Sequence, residues 1–165
     1  MFHRRTLLAS ALASSLPWPA WAQSSTGSSG KNSLTLGMAL EPPMLDPTVS
    51  AAAAIGEIVH YNLFETLTKI TPEGTVLPLL AQRWDVAPDL KTFTFHLRQD
   101  AQFHNGQPLT ADSVQFSFAR AASSTSTNKD KALFAQLKVT AKDRFTVVIE
   151  SAHSNPDLLF LLGQA

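Results

Sequence analysis

From Leu34 the chain alternates. Leu34, Leu36, Met38 and Leu40 are apolar and their neighbours small or polar, the period-2 pattern of a strand with one buried face. Glu41-Pro42-Pro43 ends it, because proline cannot donate to a ladder. Met44-Leu45-Asp46-Pro47 then reads as a loop, with Leu45 aimed at the core and Asp46 suited to an Asx turn. Beyond Ser50 the period changes. Ile55, Ile58, Val59 and Leu63 share one helical face through about Phe64, and Ser50 is positioned as the cap.

Leu67 and Ile70 belong to a short extended piece closed by the turn Thr71-Pro72-Glu73-Gly74. Val76 to Leu80 lead into Ala81-Gln82-Arg83-Trp84, read as one helical turn that delivers Trp84 to the core. A hairpin turn over Asp85–Lys91 precedes a second strand, in which Phe93, Phe95 and Leu97 alternate with Thr94, His96 and Arg98. Asn105-Gly106 suits a tight turn with positive φ, and Thr110 caps a helix carrying Val114 and Phe118, with Asp112 in its first turn. Ser123–Lys131 reads as an exposed loop. Leu137 to Ala141 and Phe145 to Ile149 form a β-hairpin, and Asn155-Pro156 starts a last helix that is apolar nearly all round. Such a helix needs covering, and the first strand has no evident parallel partner. The pattern therefore predicts a mixed α/β fold that ends unclosed, as the N-terminal part of a larger protein does.

Charge and composition narrow the chemistry. The 165 residues carry 13 Lys+Arg, 13 Asp+Glu and no Cys. Charge balance argues against a nucleic-acid partner, which needs a basic surplus to displace counterions. Without cysteine there is no disulfide framework, thiolate zinc site or cysteine nucleophile. The seven glycines lie too far apart for a phosphate-cradling loop.

The first 22 residues read as a signal peptide: Arg4 and Arg5, an apolar stretch Thr6–Leu16, then Ala20-Trp21-Ala22 as cleavage site. That stretch is well short of the roughly 20 residues a membrane span needs. The arginine pair fits a twin-arginine signal and an ordinary secretory one equally. No cysteine is available for lipidation, so a mature product is expected free in a periplasm. Without Arg4 and Arg5, 11 basic residues face 13 acidic ones, leaving no basic run for a membrane surface. Residues 23–33 are Ser/Gly-rich and read as a flexible tether.

The motifs between residues 61 and 120 are specific as an ordered series. Tyr61-Asn62-Leu63-Phe64-Glu65-Thr66-Leu67 is followed by Gly74, Pro78-Leu79-Leu80-Ala81 and Trp84. Then come Thr92-Phe93-Thr94-Phe95-His96-Leu97-Arg98, Phe103-His104-Asn105-Gly106 and Pro108-Leu109-Thr110-Ala111-Asp112-Ser113-Val114. The series resembles the family 5 extracellular solute-binding proteins, the peptide/nickel-type receptors of ABC importers. Glu41-Pro42-Pro43-Met44-Leu45-Asp46-Pro47 matches that family's first loop, and the resemblance covers about residues 34–165. Ser113 stands where the family commonly has an acidic residue. The resemblance implies a periplasmic-binding-protein type II-like fold with a mixed sheet. This chain would supply the N-terminal part of lobe I with its inserted small subdomain, incomplete.

The implied function is non-catalytic: capture of a peptide or related small solute, and delivery to ABC permease subunits. No cofactor or metal is expected, and the protein is expected to be a monomer that spans no membrane. A truncated, non-functional fragment is the alternative. A periplasmic hydrolase would need a nucleophile, and Ser28 and Ser29 lie in the tether rather than in a strand–turn–helix elbow. The resemblance places the ligand-facing residues at Ala51, Ala52 and Ala53, whose backbone would meet an extended ligand, with Met44 and Asp46 beside them. The alanines serve equally as a good helix start. Trp84, Phe93, Phe95, Leu97 and Phe103 read as core, and Arg98 as the partner of Asp100 or Asp112. His96 and His104 lack metal-ligand spacing, and His60 falls on the polar side of its helix.

Overall fold

The computed structural model describes residues 35–164, so the expected signal peptide and tether lie outside the described residues. The chain divides after Gly37, and Met38 onward forms one unit. That unit is built on a four-stranded antiparallel sheet in the order β3-β4-β6-β5, formed by β3 (Ala81–Val86), β4 (Thr92–Leu97), β5 (Leu137–Asp143) and β6 (Thr146–Ser151). A two-stranded antiparallel pair, β1 (Thr68–Ile70) with β2 (Val76–Pro78), precedes it. Four helices accompany these strands: α1 (Ala53–Val59), α2 (Ala111–Ala122), α3 (Lys131–Ala135) and α4 (Leu158–Leu161). The class is the mixed α/β one the pattern predicts.

The core is made where alternation is strict. Phe93, Phe95 and Leu97 of β4 and Val147 and Ile149 of β6 are buried, and the pairings Phe93–Ile149 and Phe95–Val147 stack them in adjacent strands. Ala111 and Val114 of α2 and Leu158 and Leu162 at α4 close over the same cluster.

Several expectations are corrected. Ala81–Trp84 is not a helical turn but the start of β3. A bulge between Ala81 and Arg83 breaks the alternation and hides the strand in the sequence. Trp84 still reaches the core edge, its ring 6.5 Å from that of Phe95. Residues 35–40 form no strand, because no strand among the described residues pairs with them, and Leu36, Met38 and Leu40 are exposed.

The helix after Ser50 is shorter at both ends. Its N-cap is Ala52, Ser50 Oγ accepting the Ala52 amide at 3.4 Å. It stops at His60 because Tyr61 is left-handed, with φ of 62°. The Tyr61 hydroxyl, donating to the Gly163 carbonyl and accepting from the Ile70 amide at 3.3 Å, holds that turn. Leu63 and Phe64 consequently leave the helical face and are exposed, as are Leu45 and Phe103, which the pattern assigned to the core.

Thr110 occupies the N-cap of α2, but its hydroxyl meets Ser113 Oγ at 3.1 Å rather than a backbone amide. The stretch 123–131 is folded rather than merely exposed. Ser126 is buried, and Lys131 Nζ donates to the carbonyls of Ser124 and Ser126 at 2.8 and 3.1 Å. The last helix begins at Leu158, not Pro156, because the Asn155 amide is drawn to the Leu90 carbonyl at 2.9 Å. One face of it is covered, with Leu158 and Leu162 pointing into the core and its Leu159 carbonyl accepting from the Thr68 hydroxyl at 2.8 Å, while Phe160 is exposed.

Gly106 has the positive φ its turn requires, 82°, and nothing lies within 4 Å of where a Cβ would stand. The expected cost of Gly106→Val is therefore backbone strain alone, about 1–2 kcal/mol. Urea unfolding checks it, with Gly106→Asn, which tolerates that region better, falling between Val and wild type.

Candidate functional site

The segment from Met44 to Ala53 is organised around one carboxylate. Asp46 Oδ1 accepts the Thr48 amide at 2.8 Å and the Thr48 hydroxyl at 2.7 Å, an Asx turn. Its Oδ2 takes the Arg120 guanidinium, from the last turn of α2. Partial burial works to raise this carboxyl, but the Thr48 donors and Arg120 outweigh it and hold it below its ordinary value. The Thr127 amide adds a second tether, donating to the Thr48 carbonyl at 2.9 Å.

Past this anchor the chain enters α1. Ala51 and Ala53 are exposed, Ala52 half-buried and Ala54 buried. The Ile55 amide bonds to the Ala52 carbonyl at 3.0 Å, while the Ala51 and Ala53 amides have no acceptor among the described residues. Small side chains leave this backbone open.

Asp46, Ala51, Ala52 and Ala53 line one concavity of about 1140 Å³, together with apolar groups that include Phe64 and Phe103. Such a volume suits a ligand of several residues. Met44 is exposed but is not part of that lining. A smaller hollow of about 380 Å³ beside Tyr61 and Phe160 contains none of the candidate residues.

The histidines fall in different surroundings. His96 Nε2 lies 2.9 Å from Asp85 Oδ2, and that hydrogen bond is the main cause holding the Asp85 carboxyl low, with Arg83 assisting. His104 is exposed in its turn. Arg98 grips Asp100 at 3.0 and 2.9 Å rather than Asp112. No group of three or more metal-ligating side chains occurs among the described residues.

His60 departs from expectation, because α1 ends before it and the helical periodicity no longer applies. It is half-buried, and its Nδ1 is buried with no hydrogen-bond partner. Burial, then the Lys129 charge, push the imidazole below its ordinary value of 6.5, against the opposing pull of Asp130. A base lowered in this way contributes stability that is intact above 6.5 and lost as pH falls through the folded-state value. The urea midpoint is expected to drop between pH 7 and 5, and His60→Asn to flatten that limb. The lowered carboxyls of Asp46, Asp85, Asp100 and Asp143 add a second loss below their ordinary range near 3.8.

The family model described as bacterial extracellular solute-binding proteins, family 5 Middle, matches residues 75–165, and the chain belongs to that family. The periplasmic oligopeptide-binding protein OppA of Haemophilus influenzae is 35% identical over 117 residues, 69% of this chain and 21% of that protein. The probable D,D-dipeptide-binding periplasmic protein DdpA of Escherichia coli is 31% identical over 165 residues, 97% of this chain and 30% of its own. The crystal structure of Haemophilus influenzae OppA in complex with RPPGFSPFR superposes with a TM-score of 0.68 at 28% identity, covering 74% of this chain and 27% of that one. The chain thus spans between a fifth and a third of the length of these relatives. Among the described residues, no helix is long and apolar enough to cross a membrane.

Proposed function

We propose that this chain supplies the ligand-facing first segment of a periplasmic substrate-binding protein of an ABC importer, without catalytic activity, and that its ligand is a peptide. Residues 1–22 act as its export signal, residues 23–33 as a tether, and residues 34–165 as part of the binding domain, which hands its ligand to the permease. Family membership supports the class, and the peptide ligands of the two relatives support the substrate.

The observation that carries the reading is the Ala51–Ala53 backbone, open on a concavity large enough for several residues. A backbone that reads backbone accepts many side chains, because main-chain hydrogen bonds supply affinity and the space around them tolerates variation. Met44 stands at the entrance to this segment. Asp46 acts on the ligand by fixing the loop, since both of its oxygens are taken by Thr48 and Arg120.

Calorimetric titration of the chain with the nonapeptide RPPGFSPFR tests this. Saturable binding is expected, weakened at least tenfold by Ala53→Trp, whose exposed position accepts the bulk without unfolding. Absence of saturable uptake, or an Ala53→Trp variant that binds as wild type does, overturns the reading.

A further inference from the structure

We propose that Arg120 is a positioning residue for the ligand-facing segment, acting through Asp46; this rests on the reading of Ala51–Ala53 given above. Arg120 lies 74 residues from Asp46 in sequence, yet it is the side chain that α2 sends to the loop. The carboxylate is thereby divided, Oδ1 shaping the turn at Thr48 and Oδ2 fastening that turn to α2. The Val49 amide closes on the Asp46 carbonyl at 3.3 Å, and the Thr48 carbonyl receives the Thr127 amide at 2.9 Å. Two residues further on, Ser50 Oγ meets the Ala52 amide. The direction in which Ala51–Ala53 enter the concavity is set by this chain of contacts. Among the described residues, the guanidinium is its only charged member from outside the loop.

The exposure of the pair separates positioning from general stability. The side chains of Arg120 and Asp46 are 51% and 34% exposed, and ion pairs so exposed contribute little to global unfolding. Loss of the pair should therefore loosen the loop and leave the sheet intact.

Amide hydrogen exchange on the full chain reads this directly, without any ligand. In Arg120→Gln, exchange at Thr48, Val49 and Thr127 is expected to quicken at least tenfold, while Phe95 and Val147 keep their wild-type rates. Arg120→Lys should recover most of the protection. Asp46→Asn combined with Arg120→Gln should be no faster than the more affected single variant, because both remove one contact. Unchanged rates at Thr48 and Thr127, or equal acceleration at Phe95 and Val147, overturn the proposal.

Binding of RPPGFSPFR gives the second reading. Arg120→Gln should weaken it at least fivefold, and an unchanged affinity despite a loosened loop overturns the positioning role. If wild type takes up no peptide, the ligand assignment falls, and the exchange rates still decide whether Arg120 holds the segment.

Discussion

Phe95→Ala is expected to lower the unfolding free energy by about 3–5 kcal/mol, a large share of what a domain of this size possesses. Phe95 is fully buried in a central strand, paired with Trp84 of β3 on one side and Val147 of β6 on the other. Truncation removes the transfer energy of the ring and its tilted contact with Trp84. The sheet is hydrogen-bonded on both sides of β4 and cannot collapse into the space left behind. The urea midpoint should fall sharply with an unchanged denaturant slope. Phe116→Ala is the control. Its ring is 68% exposed, and the midpoint should shift by no more than about 0.5 kcal/mol equivalent. Equal losses in the two variants would show that the core is not where the structure places it.

The second large effect is at Gly163. A Cβ there would lie 2.8 Å from Thr68 Oγ1, 3.0 Å from Ile70 Cδ1 and 3.2 Å from the Thr68 carbonyl. The carbonyl is backbone in a paired strand and cannot step aside, and the Thr68 hydroxyl is itself holding the Leu159 carbonyl. Gly163→Val must push the end of α4 from β1, loosening that bond and the one from the Tyr61 hydroxyl to the Gly163 carbonyl. Gly163→Ala should cost about 1–3 kcal/mol, as overpacking does elsewhere, and Gly163→Val more. Gly37→Ala, with nothing within 4 Å, should leave the midpoint in place. A Gly163→Val protein that unfolds at the wild-type midpoint would mean that α4 does not dock on β1.

How far the fold could be read from the sequence depends on the range of the forces that shape each element. β4 and the β5–β6 hairpin were legible because burial alternates without interruption through Phe93, Phe95 and Leu97, and again through Val147 and Ile149. β3 was illegible for the opposite reason: one bulged residue shifts the phase, and Ala81-Gln82-Arg83-Trp84 then mimics a helical spacing. α1 was overrun because its end is dictated from a distance, by the bond of Tyr61 to Gly163, 102 residues away. α3, five residues without a side-chain cap, carries no local signal strong enough to mark it.

The candidate site divides along the same line. The Asx turn at Asp46 is local and visible, since an Asp two residues before a Thr supplies both partners. Arg120 is not legible in the sequence, because nothing near it there distinguishes it from any other helical arginine. The surroundings of His60 are equally hidden, because they follow from the early end of α1.

The order of strands in the sheet also bears on how the chain acquires its structure. Each outer strand pairs with a near neighbour in sequence, β3 with β4 and β5 with β6, and such hairpins close in about 1–10 μs. The seam between them joins Thr92–His96 to Thr146–Glu150, and the intervening chain must be drawn in before any of its contacts form. That closure should set the folding rate. Until β6 is synthesised, β4 has one unpaired edge and the cluster on its apolar face lacks Val147, Ile149, Leu158 and Leu162, so a nascent chain passes through a stage that chaperones can hold and proteases can cut.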